Sequence, residues 1–397
     1  MKIIVPLFLC LMGCTHINPQ NVQTVADSNN HFAFDMYAQL SKEKPGNLFF
    51  SPYSISTVLV MTYAGARNET EKEMSQTLHF GPVQDSFHIR YKDYLEAIAD
   101  DAGRGIILET ANSVWIDDNY KIEEPFSQIV KDDYNSGLKD VDFMGHVEQA
   151  REKINSWVED RTNDKISNLL GKGMLSSGTK MVLVNAIYFK GKWASPFEAN
   201  ITRKLPFHVN DTTSNITDFM NHEYSYKYYK DDTLQALEAP YAGGKISLLI
   251  LLPDKMNGID DMEKKLNSIY YSKIMKNEKD TTKVYLSLPK FKLNTSYSLK
   301  TPLSELGMPM AFTDGADFSG ISKEKIEIDF VLHDAYVDVS EEGTEAAAAS
   351  AVSGRIMAVM PRPVPHFMAD HPFIFIIKDN ATGSILFMGK ITDPTKQ

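Results

Sequence analysis

The run of residues 181–189, Met-Val-Leu-Val-Asn-Ala-Ile-Tyr-Phe, limits the possible folds of this chain more than any other feature. It is apolar at almost every position, whereas a strand with one face in water alternates apolar and polar residues. A β-strand of this composition has to be covered on both faces, so it belongs in the middle of a sheet. The sequence therefore predicts a large sheet with this run as a central strand.

Further strand patterns occupy the second half of the chain. Residues 246–252, 373–377 and 385–388 are apolar runs, and residues 284–288 alternate apolar and polar side chains. Helical patterns lie mainly in the first half. This distribution predicts one α+β domain built on a large mixed sheet.

Two helices are predicted from their apolar spacing. Phe32, Met36 and Leu40 share one face of a helix, which the asparagines at 29–30 are expected to cap. A second helix is expected to cover residues 148–170, where apolar side chains again recur at helical spacing.

Composition and motif content exclude several classes of function. The net charge of −11 is the opposite of the basic field that a general nucleic-acid surface needs. The chain has no G-x-S-x-G elbow and no H-E-x-x-H helix, and residues 173–180 lack the Gly-Lys-Ser/Thr order of a phosphate loop. The acidic pairs at 117–118 and 231–232 are interpreted as solvated loop charges. We therefore predict no metal, no cofactor and no enzyme, although the members of a Ser/His/Asp triad can lie anywhere in a sequence.

The N-terminus has the pattern of a secretory signal. A lysine precedes an apolar run at residues 3–12 that is too short to span a bilayer. The run ends in Leu-Met-Gly-Cys, which resembles the bacterial lipobox, in which the cysteine is lipidated and becomes the first mature residue. The resemblance implies a signal peptide at 1–13, an acylated Cys14, a polar tether at 14–25 and a domain at 26–397 that is exported and anchored at the outer membrane or cell surface. The alternative is an ordinary signal peptide in which Cys14 has no role.

The segment 341–354, Glu-Glu-Gly-Thr-Glu-Ala-Ala-Ala-Ala-Ser-Ala-Val-Ser-Gly, is compatible with two conformations. The alanines behind Thr344 favour a capped helix. With a period of two, the face that begins at Thr344 has only small uncharged side chains, whereas Glu345 and Arg355 fall on the other face. A strand of this kind can enter the middle of a sheet without burying a charge. The prolines of residues 355–363 favour an extended, exposed loop beyond it.

Several motifs, in the correct order, resemble the serpin family. Residues 338–347, Asp-Val-Ser-Glu-Glu-Gly-Thr-Glu-Ala-Ala, are similar to the hinge of inhibitory serpins, and residues 182–193 are similar to the most distinctive signature of the family. The resemblance extends from about residue 26 onward, and its other motifs lie at residues 47–55, 154–158, 371–375 and 387–390.

The resemblance implies both a fold and a mechanism. The fold is a single serpin domain with a large central mixed sheet, two further sheets, about nine helices and an exposed reactive loop near the C-terminus. In the mechanism, a target peptidase forms an ester with the loop and is trapped when the cleaved loop enters the main sheet. The expected partner is an elastase-like or trypsin-like serine peptidase, or a cysteine peptidase, held covalently by a monomer. The alternatives are a non-inhibitory serpin that binds or carries a ligand and, outside the family, an enzyme.

Individual residues follow from the same resemblance. The family spacing places the reactive bond between Met357 and Ala358, with Arg355 and Ile356 as alternatives to Met357. The hinge that enters the sheet comprises Glu341, Glu342, Gly343, Thr344, Glu345, Ala346, Ala347, Ala348 and Ala349. The residues that match the polar cluster beneath the parting strands are Ser51, Ser54, Asn185 and His333. Trp193 matches the position where insertion begins, and its alternative is a plain core aromatic.

Overall fold

A computed structural model of the protein describes residues 18–81, 84–101, 105–134, 137–277, 281–342 and 364–396. Within these residues, nine α-helices and fourteen β-strands form one α+β fold, which confirms the predicted fold class. Most of the helices precede the run at 181–189 and most of the strands follow it, in agreement with the sequence pattern.

The elements are numbered in chain order. The helices are α1 (Pro19–Glu43), α2 (Pro52–Tyr63), α3 (Asn68–Thr77), α4 (Gln84–Asp101), α5 (Glu124–Tyr134), α6 (Val147–Arg161), α7 (Ile259–Lys265), α8 (Ser268–Asn277) and α9 (Lys300–Glu305). The strands are β1 (Leu48–Phe50), β2 (Ile106–Asp117), β3 (Leu138–Val141), β4 (Met181–Gly191), β5 (Arg203–His208), β6 (Ser214–Lys230), β7 (Leu234–Pro240), β8 (Ile246–Pro253), β9 (Thr281–Pro289), β10 (Phe291–Ser298), β11 (Phe330–Val339), β12 (His366–Met368), β13 (Phe373–Asp379) and β14 (Ile385–Ile391). No helix in the described ranges combines the length and the apolar character needed to cross a bilayer.

The predicted central strand, β4, is the middle strand of a five-stranded sheet with the order β10-β11-β4-β2-β3. It pairs antiparallel with β2 and parallel with β11. Leu183 and Ile187 belong to the main hydrophobic core on one face, whereas Val184 and Ala186 belong to a second hydrophobic cluster on the other, which includes residues of α6. The cover on both faces explains why successive residues of this strand are apolar.

Helix α2 lies beneath this sheet, and every one of its residues is buried. It contacts β2 and β4 on one side and β14 of the second sheet on the other. Ser51 caps the helix by accepting a hydrogen bond from the backbone N–H of Ser54, and Pro52 occupies its first turn. A helix that is buried on all its faces has to be enclosed by other elements, so α2 is a layer between the two sheets.

The second sheet has nine strands. Eight follow the order β1-β14-β13-β8-β7-β6-β9-β12, and β5 pairs with β6. The long strand β6 joins two sections, because its earlier residues pair with β5 and β9 and its last residues pair with β7. The two further sheets that were predicted are therefore connected through β6 into one hydrogen-bonded series.

Helix α1 begins earlier than predicted. Its cap is Asn18, whose side chain accepts a backbone N–H, and not the asparagine pair at 29–30. Val22 and Val25 are buried, so this part of the predicted tether belongs to the folded body. The pair at 29–30 lies inside the helix, and its side chains bind the backbone of Gly383 and of Ile385, the first residue of β14. A tertiary contact therefore explains two polar residues that resemble a local cap.

Helix α6 ends earlier than predicted, at Arg161. Asn163 and Asp164 have left-handed backbone, with φ of 49° and 57°. Short polar side chains tolerate this conformation, which stops a right-handed helix. Ile166 and Leu170 still pack in the same hydrophobic layer as α6, so the apolar spacing continues although the helix does not.

Asp117, interpreted from the sequence as a solvated loop charge, is buried at the end of β2. One of its carboxylate oxygens accepts the backbone N–H groups of Phe143 and Met144, at 2.8 and 2.9 Å. The other oxygen accepts hydrogen bonds from Asn119. The carboxylate therefore fixes the turn after β3, and the interpretation as a solvated charge was wrong.

Replacement of Gly389 in β14 by alanine is expected to destabilise the fold. A Cβ atom at this position would lie 2.5 Å from the Phe375 ring and 2.7 Å from the backbone oxygen of Leu48. Neither neighbour moves easily, because Leu48 is paired with β14 and the Phe375 ring is fully buried. We expect a loss of about 1–3 kcal/mol in the free energy of unfolding, measured by chemical denaturation. The control is Gly81→Ala, where nothing lies within 4 Å of the new atom, and equal losses in the two variants would contradict the prediction.

Candidate functional site

Strands β4 and β11 form a parallel pair in the middle of the five-stranded sheet. Their register runs from Val182 beside Phe330 to Tyr188 beside Tyr336. The outer neighbours of the pair, β2 and β10, are antiparallel to it. We call the line between β4 and β11 the seam. A strand that ran opposite to both would fit between them with ordinary antiparallel hydrogen bonds on each side.

The four predicted cluster residues lie together beneath the seam. Asn185 of β4 and His333 of β11 are register partners. Ser51 and Ser54 come from the buried N-terminus of α2. All four residues are fully buried, so the hydrogen bonds among them are protected from water.

The His333 ring connects β11 to both other parts of the cluster. Its Nε2 atom accepts a hydrogen bond from the backbone N–H of Ser51 at 3.1 Å. Its Nδ1 atom is hydrogen-bonded to the side-chain oxygen of Asn185. Because Nε2 is an acceptor, the proton is on Nδ1 and the ring is neutral. Burial lowers the pKa of His333 from 6.5 to about 3, which keeps the ring in this form.

The amide of Asn185 extends the cluster in the other direction. It donates to the hydroxyl of Ser54 and to the side-chain oxygen of Asn112. The Ser54 hydroxyl donates to the same oxygen of Asn112 at 2.8 Å. Asn112, Asn185 and His333 thus form a row in register across β2, β4 and β11, and Tyr297 of β10 continues it. Sequence reasoning missed Asn112 and Tyr297, and no local signal distinguished Asn112, because Glu109, Thr110 and Ser113 of the same strand are polar as well.

Ser51 connects the cluster to the second sheet. Its hydroxyl donates to the backbone oxygen of Leu386 in β14 at 2.6 Å and accepts the N–H of Ser54 at 3.1 Å. The seam, the cap of α2 and β14 therefore share one set of hydrogen bonds. Hydroxyl and amide groups both donate and accept, so such a set can be rearranged without leaving a buried group unpaired.

Trp193 lies just beyond β4, at the end of the seam that carries Ser340 and Glu342. Its indole N–H donates to the backbone oxygen of Ser340 at 2.8 Å, and its backbone N–H donates to that of Glu342 at 3.1 Å. Its ring stacks on Tyr241, with centroids 4.6 Å apart and planes 7° apart. Trp193 therefore ties the end of β11 to the end of β4 in addition to filling the core.

Glu341 forms a second tie at the same end of the seam. Its carboxylate pairs with the ammonium group of Lys290 at 2.9 Å and accepts the hydroxyl of Thr202 at 2.9 Å. Its backbone oxygen accepts the N–H of Phe197 at 2.8 Å. Burial raises the pKa of Glu341, but the bonds from Lys290 and Thr202 outweigh burial and lower it overall. The carboxylate is therefore held in its charged form.

Much of the predicted site lies outside the described residues. Glu341 and Glu342 of the hinge are described; the hinge residues outside are Gly343, Thr344, Glu345, Ala346, Ala347, Ala348 and Ala349. The residues proposed for the reactive bond, which are Arg355, Ile356, Met357 and Ala358, also lie outside, as does Cys14.

A serine–histidine pair near the hinge does not have the arrangement of a catalytic triad. The hydroxyl of Ser195 lies 3.2 Å from Nε2 of His222. Nδ1 of His222 faces the hydroxyl of Tyr226 at 2.8 Å, whereas a triad has a carboxylate there. The ring is half-buried against Phe197 and stacks on Tyr224, and burial lowers the pKa of His222. The pair is part of an aromatic cluster beside the hinge and does not support hydrolytic chemistry.

Comparison with known proteins gives one consistent result. Residues 27–394 match the family described as "Serpin (serine protease inhibitor)". An uncharacterized serpin-like protein of Thermococcus kodakarensis is 40% identical over 93% of this chain and 86% of its own length. The leukocyte elastase inhibitor of Homo sapiens is 38% identical over 94% of this chain and 100% of its own length.

Solved structures agree with the sequence comparison. An Arabidopsis serpin in its native stressed conformation has a TM-score of 0.84 and 28% identity, covering 94% of this chain and 99% of its own. Human thyroxine-binding globulin, solved as a complex with thyroxine, has a TM-score of 0.84 and 29% identity, covering 95% of this chain and 100% of its own.

Acidification is expected to weaken the closed seam through His333. The pKa of this ring is lower in the folded chain than its ordinary value of 6.5. The unfolded chain therefore binds the proton first, and stability is lost as the pH falls from about 6.5 towards 3. We expect the melting temperature to fall less steeply between pH 7 and pH 4.5 in His333→Gln than in the unchanged protein. The exposed His31→Gln is the control, and parallel pH profiles for all three proteins would refute the assignment.

Proposed function

Because this chain belongs to the serpin family, we propose that it inhibits serine endopeptidases, and cysteine endopeptidases by the same chemistry, through a single-use trap. The target cuts the segment beyond Glu342, becomes esterified to it, and is held as the freed strand enters the seam. The protein acts in this scheme as a substrate that fails to be released and not as an enzyme.

The observation that carries the proposal is the parallel pairing of β4 and β11. In a sheet whose neighbouring pairs β10–β11 and β4–β2 are antiparallel, this pair has room for an intervening strand of opposite direction. The chain leaves β11 at Val339 and is tied at Glu341 and Glu342, directly before the segment with small side chains on one face. If that segment turned back into the seam, it would run opposite to both strands.

The chemistry balances without a cofactor. The hydroxyl or thiol of the target attacks the carbonyl carbon of Met357, the bond to Ala358 breaks, and the amine of Ala358 leaves with a proton. The acyl-enzyme that remains needs water and an intact active site for hydrolysis. Entry of the strand into the seam removes the esterified enzyme from its docking position before that step.

The specificity depends on which bond is attacked. A reactive Met357 suits elastase-like or chymotrypsin-like pockets, and the relatives named leukocyte elastase inhibitor favour this choice. Arg355 would recruit trypsin-like enzymes through an acidic pocket, and Ile356 remains the other alternative. Several bonds of one loop can serve different peptidases.

A second candidate function is binding or transport of a ligand without inhibition. It is favoured by the similarity to thyroxine-binding globulin, a thyroxine-binding protein by its name. The small side chains at 346–349 oppose it, because a hinge that never enters a sheet has no need to exclude bulk and charge from one face. We therefore place inhibition first.

The decisive experiment is incubation with elastase-like and trypsin-like peptidases followed by denaturing electrophoresis. We expect a complex that survives denaturation, and Thr344→Arg should convert most of it into cleaved inhibitor, because a charge would then face the interior of the sheet. Ala347→Arg, which places the same charge on the other face, is the matched control and should retain the complex. Cleavage of the unchanged protein without any covalent complex would rule out the proposal.

We further propose that Cys14 is acylated and anchors an exported protein at the outer membrane or cell surface. The support is the Leu-Met-Gly-Cys motif after a short apolar run, and several acyl chains on one residue would hold a protein firmly to a bilayer. In a bacterial host, the unchanged protein is expected to partition with detergent and to incorporate labelled fatty acid. Cys14→Ser should abolish the label, and Cys10→Ser should retain it. Label that persists in Cys14→Ser would refute the anchor.

A further inference from the structure

The first helix of the domain begins close to the cysteine that we propose as the lipid anchor. Asn18 caps α1, so only residues 15–17 separate Cys14 from the cap. Four peptide units bridge at most about 15 Å, whatever conformation they adopt. The sequence predicted a tether that reached residue 25, but Val22 and Val25 are buried in the core. An acylated Cys14 would therefore hold the start of α1 within about 15 Å of the lipid surface.

The start of α1 is joined to α4 through Asp93. One carboxylate oxygen of Asp93 accepts the backbone N–H of Asn18 at 3.5 Å and the side-chain amide of Asn21 at 3.2 Å. Ile89 is one helical turn before Asp93, so the two side chains share a face of α4 with their Cβ atoms about 6 Å apart. Ile89 therefore lies beside the start of α1 and close to the anchor.

Ile89 is an apolar side chain on an uncharged part of the surface. It is 60% exposed, whereas Tyr91 of the same helix is completely buried. The chain has a net charge of −11, yet residues 15–26 include no acidic or basic side chain other than His16. An uncharged surface can approach a bilayer without stripping water from ionic groups, and an exposed isoleucine gains free energy when lipid replaces that water.

Two charged side chains follow Ile89 on the same face of α4, and both are hydrogen-bonded. The ammonium group of Lys92 donates to the backbone oxygen of Asp132 at 2.9 Å, and Asp93 accepts the two bonds from α1. Both groups would lie at the edge of a contact centred on Ile89, at the level of the polar headgroups, where they stay hydrated. These charges therefore do not oppose contact with a lipid surface.

We propose that Ile89 and the first two turns of α1 rest on the lipid surface in which Cys14 is anchored, so that the domain is held in one orientation. The inference rests on the lipid anchor proposed above. One isoleucine binds a bilayer weakly, but a short connection keeps its effective concentration at the surface high. Helix α1 is about 37 Å long, so the elements beside its C-terminal end lie well away from this contact.

Ile216 of β6 provides a matched control position. It is 62% exposed, nearly the same as Ile89. The neighbouring Asn215 donates to the carboxylate of Asp393 at 2.9 Å, and the backbone N–H of Asp393 donates to Asn47 at 3.0 Å. Since α1 ends only four residues before Asn47, Ile216 lies near the end of α1 that is opposite to the anchor.

The test places a fluorescent probe at each of the two positions. Cys10 would be removed with the signal peptide and Cys14 acylated, so Ile89→Cys and Ile216→Cys each supply a single free thiol on an exposed site. The labelled full chains are reconstituted into vesicles of phosphatidylethanolamine and phosphatidylglycerol. We expect aqueous iodide to quench the probe at 89 at least about threefold less than the probe at 216, because lipid covers only the first. Equal quenching at the two positions would overturn the proposal.

A longer tether tests whether the short connection maintains the contact. Insertion of about 20 Gly and Ser residues between Thr15 and His16 adds about 25 Å of flexible reach. Quenching at 89 should then rise to the level at 216 while the chain stays in the vesicles, and continued protection would contradict the inference. The anchor itself is judged separately. If the unchanged chain incorporates no fatty acid and stays out of the vesicles, the anchor fails and this surface fails with it. If the chain is anchored but the probe at 89 is fully quenched, only the present inference fails.

Discussion

The hydrogen bond between His333 and Asn185 is the contact on which the rest of the structure depends. It joins the two parallel strands at the middle of the sheet, and through Ser51 and Ser54 it joins them to a buried helix and to the second sheet. The bond requires a neutral ring, and burial provides that condition by depressing the pKa of His333. A sheet closed by uncharged, reversible bonds is held firmly yet can open without breaking an ion pair in a dry interior.

The seam is held by different chemistry at its middle and at the end that carries Trp193. At the middle the hydrogen bonds are neutral and buried, whereas at the Trp193 end Glu341 is charged and its partner Lys290 is partly exposed. Because Lys290 is partly exposed, water weakens this ion pair, so the tie positions the end of β11 more than it strengthens the fold. Trp193 supplies the stronger restraint there, because it bonds two backbone oxygens and stacks on a buried ring.

Sequence reasoning reached the fold class, the central strand and the four residues that lie beneath the seam. The central strand was accessible because cover on both faces leaves a continuous apolar pattern. The start of α1 could not be predicted from the sequence, because Val22 and Val25 are buried by elements that are distant in the chain, and no local pattern reveals such contacts. Asn112 was missed for a related reason, since its importance depends on its register beside Asn185 and not on its neighbours in the chain.

Helix α2 has a consequence for biosynthesis. All its residues are buried, yet the strands that enclose it, β4 and β14, are translated long after it. Until these strands are present, the apolar side chains of α2 are exposed and can associate with other nascent chains. The same burial that lets α2 support both sheets therefore requires that the nascent chain be shielded, by a chaperone or by transient contacts, until β4 and β14 have been synthesised.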